Sequence, residues 1–171
     1  MRTSQRLIGE TDGKPLKEFN QVIDSIAPPE FKAEGDEDGW LVKNNDSFSK
    51  IGVVWDLTLK NLHEMLNNGV DLVITHTYPF TRARESKIGY YDSTTSTPEL
   101  DEEKKELLKE FNTSLYRLHT RWDNAPGGNN DVLAELIGLN EVSRVELGRV
   151  GNVNKTTLKS LSKRVKRALN S

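Results

Sequence analysis

The chain is 171 residues long, a size that normally forms one compact domain around a single core. A net charge of −2 and a pI near 6.0 argue against nucleic-acid binding by general phosphate neutralisation, while 35% hydrophobic residues take the chain out of the disordered class. With no cysteine, disulfides, thiolate nucleophiles and cysteine-based metal sites are excluded, so any metal must be held by His and carboxylates.

Residues 1–14 carry no periodicity and are expected to form a flexible arm ahead of a single α/β domain over 15–171. They also lack the apolar run of a signal peptide, and no later stretch approaches the roughly 20 apolar residues that cross a bilayer. A cytoplasmic chain without membrane contact is therefore expected. Leu16, Phe19, Val22, Ile23 and Ile26 follow helical spacing until Pro28-Pro29 stops the helix. The acidic, glycine-containing run Glu34 to Gly39 reads as loop, followed by a short extended piece at Trp40 to Val42. Ile51 to Asp56 is a short apolar run of the kind buried on both faces of a parallel sheet. Leu59, Leu62 and Leu66 then form a helix ending near Gly69, and Asp71 to His76 repeats the buried-strand pattern, completing a βαβ unit.

Tyr78 to Thr97 reads as a long polar loop containing Arg82, Arg84 and Lys87. Thr97-Pro98 caps a helix whose apolar side is Leu100, Leu107, Leu108 and Phe111, and whose acidic start suits the helix dipole. A strand over Ser114 to His119, a helix over Asn130 to Leu139, a strand over Val142 to Val150 and a helix over Thr157 to Leu169 complete the pattern. The alternation predicts an α/β fold with a mainly parallel or mixed sheet of about four strands and helices on its faces.

Ligands of open α/β sheets gather at the carboxyl ends of the strands, where His76 ends one strand and His119 to Asp123 follow another. If those ends lie side by side, His76 and Asp123 come within reach of one transition-metal ion. His119 joins them only if the chain turns, since four extended residues span roughly 13 Å. A strand-end histidine also commonly serves only as a hydrogen-bonding group, and Asp123 to Asp131 also reads as a glycine turn capping the next helix. His63 reads as an ordinary helix residue, and Lys159, Lys163, Arg164, Lys166 and Arg167 as a solvated face of the closing helix.

Several segments, in order, resemble the NIF-three-like family, also called GTP cyclohydrolase I type 2 homologues. Ile26-Ala27-Pro28, Trp40 and Val53-Val54-Trp55-Asp56 are similar to its opening helix and first core strand. Ile74-Thr75-His76-Thr77 is similar to its Thr-His-His segment, and His119 to Gly128 to its signature His-Thr-x-x-Asp-x-Ala-Pro-Gly-Gly. Gly148 to Gly151 matches a later segment. The resemblance covers about residues 15 to 169 and corresponds to the amino-terminal half of the family's fold. It implies His76 and Asp123 as metal ligands and a pocket at whose edge stand His119, Thr77 and Asn124. Thr77 replaces the family's second histidine, and the His and Glu ligands of the family's carboxy-terminal half have no counterpart here.

The resemblance thus implies a divalent transition metal (zinc, iron, manganese or nickel) in an incomplete site. It further implies a homo-oligomer, or a partner chain that supplies the missing ligands. Two functions stay open: a metal-dependent hydrolase of a nucleotide-like or heterocyclic substrate, and a non-catalytic scaffold that has lost its dinuclear centre. No glycine-rich phosphate loop is present, and neither catalytic nor substrate-binding residues can be named from the sequence.

Overall fold

A computed structural model describes residues 13–81 and 96–169. In chain order its elements are β1 (Lys14–Pro15), α1 (Leu16–Ile26), a 3-10 turn (Pro29–Phe31), β2 (Gly39–Val42), β3 (Ser47–Phe48), β4 (Ile51–Val54), α2 (Leu59–Asn67) and β5 (Leu72–Thr75). There follow α3 (Pro98–Glu110), β6 (Ser114–Arg117), α4 (Thr120–Asn124), α5 (Asn129–Ile137), β7 (Asn140–Val145), β8 (Gly148–Asn152) and α6 (Leu158–Ala168). Most of the arm expected over 1–14, and Arg82, Arg84 and Lys87, lie outside the described residues, whereas Lys14 pairs with Phe48.

The central sheet has four strands in the order β2-β6-β5-β4. The pairs β4–β5 and β5–β6 are parallel, as the βαβ reading requires, and β2 joins β6 antiparallel, so the sheet is mixed. Alternation along β5 and β6 divides the core. Leu72 and Tyr116 face α1, packing with Leu16, Phe19 and Ile23, while Val73 and Leu115 face Leu62 and Leu66 of α2 and Leu108 of α3. Phe19, Trp40 and Tyr116 form an aromatic knot with ring centroids 5.0 to 5.4 Å apart, which seats the edge strand β2 against α1.

Two expectations are corrected. Ile51 to Asp56 was expected to be buried on both faces, but β4 is an edge strand: Val53 is 73% and Trp55 61% exposed, and the core face takes only Gly52 and part of Val54. Val142 to Val150 is not a single strand of the main sheet. It turns at Glu146-Leu147 into the antiparallel hairpin β7–β8, a separate two-stranded sheet. The fourth strand of the main sheet is instead Gly39–Val42.

The acidic start of α3 does more than complement a dipole. Asp101 is buried and accepts hydrogen bonds from Thr81 N at 2.7 Å and from Ser96, and the buried Lys104 ammonium donates to Pro79 O at 2.6 Å. Together they tie both described ends of the long loop to α3. Among the described residues no helix is long and apolar enough to cross a membrane.

Candidate metal centre

β5 and β6 are adjacent and parallel, so their carboxyl ends open on the same rim of the sheet. His76 leaves β5 there and His119 leaves β6. The chain then turns at once into the short helix α4, which brings Asp123 one turn above His119: Asp123 N donates to His119 O at 3.0 Å. That turn removes the span an extended chain would have imposed. One metal-binding atom from each of His76, His119 and Asp123 falls within 4.8 Å of the others.

His76 Nε2 lies 3.0 Å from Asp123 Oδ1, with side chains only 11% and 23% exposed. Asn129 Nδ2 donates to the same carboxylate oxygen at 2.7 Å. Burial pushes the Asp123 carboxyl up, but these hydrogen bonds and the neighbouring imidazoles outweigh it and hold it below the usual carboxylate range. Trp55 stacks on His76 at 3.7 Å between centroids, and His119 meets its edge at 4.8 Å. His76 Nδ1 is buried without a hydrogen-bond partner among the described residues.

Asp36, from the acidic run read as loop, supports the other histidine. Its carboxylate lies 3.1 Å from His119 Nδ1 and accepts from Thr120 N at 3.1 Å and from Arg117 Nη1 at 2.7 Å. Burial raises its pKa, but His119, Thr120 and Arg117 more than reverse this and leave it strongly acidic. The fully buried Arg117 also donates to His76 O at 3.2 Å, so one guanidinium joins the segments that carry the two histidines. Asp38 adds a hydrogen bond from His119 N at 2.8 Å. The residue types of Asp36 and Asp38 were visible in the sequence. Their pairing across more than 80 positions had no local signal.

Thr77 directs its hydroxyl to Asp56 Oδ1 at 2.7 Å, at the end of β4. The Asn124 side chain is buried between Phe31 O and Asn130, and the Asn124 backbone carbonyl accepts from Arg149 at 3.0 Å. His63 is exposed on α2. The two signature glycines have steric reasons. Gly127 has φ of +75°, and a Cβ on Gly128 would stand 1.8 Å from Trp122 O. Asp131 locks the loop by accepting from Gly127 N at 2.8 Å and pairing with Arg149 of β8.

Sequence comparison finds a match over residues 15–171 to the family described as Duf34/NIF3 (NGG1p interacting factor 3). A GTP cyclohydrolase 1 type 2 homolog of Lactococcus lactis is 31% identical over 157 residues, covering 88% of this chain and 58% of that protein. One from Methanocaldococcus jannaschii is 31% identical over 140 residues, covering 79% and 53%. The chain thus spans about half the length of the curated relatives it matches. Among solved structures, reduced HcgD from Methanocaldococcus jannaschii superposes with a TM-score of 0.73 at 28% identity, covering 91% of this chain and 60% of that one.

Proposed function

Because this chain belongs to the Duf34/NIF3 family, we propose that His76, Asp123 and His119 hold a divalent transition metal and that the chain is a metal-dependent hydrolase of a heterocyclic or nucleotide-like substrate. The observation that carries the reading is the convergence of three metal-binding atoms within 4.8 Å on one rim of the sheet. The donor set fits. Two ligands on an ion at zinc-like bond lengths stand roughly 3 to 3.5 Å apart, close to the 3.0 Å between His76 Nε2 and Asp123 Oδ1. Asp36 on His119 Nδ1 leaves Nε2 of that ring for an ion. Two imidazoles with a carboxylate suit zinc, iron, manganese or nickel.

The chemistry such an ion supplies is a water acidified toward neutral pH and a polarised substrate bond. The chain does the positioning. Asp36 and Arg117 fix the histidines, and Asn129 orients the Asp123 carboxylate, which is held ionised as a ligand requires. An ion held by three protein ligands keeps a position open for water or substrate. The test is turnover by the zinc-, manganese- or iron-loaded chain on a panel of nucleotides and cyclic amides, with products resolved by mass spectrometry. Hydrolysis in the native chain and none in Asp123→Ala supports the proposal, and no turnover in any metal form counts against catalysis.

A second reading has its own observation. The Thr77 hydroxyl is committed to Asp56, which fits a scaffold whose dinuclear centre has been reduced and whose role is protein interaction.

A further inference from the structure

Beside the candidate metal centre runs a cleft of about 350 Å³, lined by Ile26, Val53, Trp55, Ile74 and Trp122 and by His76 of that centre. That volume is in the range of small-molecule sites. We infer that this cleft receives an uncharged, planar aromatic or heteroaromatic ring, and that any phosphates of a nucleotide-like substrate lie outside it.

Three observations carry this. The walls are aliphatic and aromatic, and no Lys or Arg lines the cleft among the described residues. A polyphosphate there would be desolvated without a counter-charge, a large cost. Trp55 keeps 61% of its surface exposed while lining the cleft. Its indole already stacks against one flat ring, the His76 imidazole, with planes 13° apart, so its side of the cleft is built for planar partners. Trp122, which also lines the cleft, is held by its Nε1 donating to Asn129 Oδ1 at 3.1 Å, and Asn129 also bonds Asp123. The aromatic wall and the carboxylate therefore share one anchor, and His76 belongs both to the cleft lining and to the three converging side chains.

As a substrate site this deepens the hydrolase reading and rests on it. As a ring-binding cleft it is testable without metal. The probe is quinazolin-4-one, a neutral two-ring heteroaromatic, titrated into the metal-free full chain and followed by the indole N–H resonances of its three tryptophans. Trp122 and Trp55 are expected to shift while Trp40, which donates to Asn20 at 3.1 Å away from the cleft, stays still. Trp55→Ala is expected to weaken binding about tenfold, as loss of a stacking partner does, and Trp55→Phe to restore most of it. GTP is expected to bind no tighter than the neutral ring. Absence of shifts at Trp55 and Trp122, or equal binding by Trp55→Ala, overturns the inference, as does GTP binding tightly through its phosphates. Zinc uptake is measured on the same sample. Ring binding without zinc uptake upholds the cleft and removes the metal reading, and zinc uptake without ring binding does the reverse.

Discussion

Asp123 Oδ1 stands 3.0 Å from His76 Nε2, although the two residues are 47 positions apart and leave different strands. Parallel pairing of β5 and β6 places the strand ends side by side, and one helical turn lifts Asp123 over the rim.

His119→Ala removes a side chain whose Nδ1 is already occupied by Asp36, so its effect falls on the free nitrogen. Zinc affinity measured by competition with a chromophoric chelator is expected to fall about 100-fold, with the circular dichroism spectrum retained. Unchanged affinity would remove His119 from the ligand set.

Asp36→Asn removes the carboxylate charge that the fully buried Arg117 meets at 2.7 Å and weakens the hold on His119 and Thr120. Breaking a buried ion pair from one side is strongly destabilising, so urea unfolding is expected to show a loss of about 3 kcal/mol. A loss below about 0.5 kcal/mol, within the range of ordinary surface substitutions, would mean that the network does not hold the rim together.

Gly128→Ala places a methyl group 1.8 Å from the backbone oxygen of Trp122, where no flexible side chain can yield. The signature loop must open to admit it, with an expected cost above about 3 kcal/mol and loss of the Asn129 bond to Asp123. Wild-type stability in this variant would show that the loop is not closed as described.

Asp131 is acidified by its hydrogen bond to Arg149, then by Gly127 N. A carboxyl with a lowered folded-state pKa contributes stability above its unfolded pKa near 4, and that contribution is lost as pH falls through the folded value. Asp131→Asn is expected to cost about 1 kcal/mol at pH 7, discounted for its partial exposure, and the gap to wild type to narrow as pH drops below about 4. A gap independent of pH would assign the residue a non-ionic role.

Much of this was legible in the residues because the signals were local. Apolar runs marked β4, β5 and β6, helical spacing marked α1, α2 and α3, and Thr97-Pro98 marked the start of α3, where the Thr97 hydroxyl accepts from Leu100 N at 3.4 Å. The strand-end rule led to His76 and Asp123. What escaped depends on distant pairing. Gly39–Val42 is a sheet strand only because Trp40 meets Tyr116 across an antiparallel edge, and Asp36 matters only because His119 and Arg117 arrive beside it. The exposure of Val53 and Trp55 follows from the edge position of β4, which an apolar run cannot reveal. The hairpin β7–β8 was hidden because Glu146-Leu147 carries no strong turn residue ahead of Gly148.

Metal content tests the central claim most directly. Elemental mass spectrometry is applied to protein purified without chelator or metal-affinity resin, with His76→Ala and Asp123→Ala prepared in parallel and folding checked for each. The arrangement of His76, His119 and Asp123 predicts about one transition-metal ion per chain, lost in both variants. A folded wild-type chain that stays metal-free after exposure to zinc, manganese and iron would contradict it.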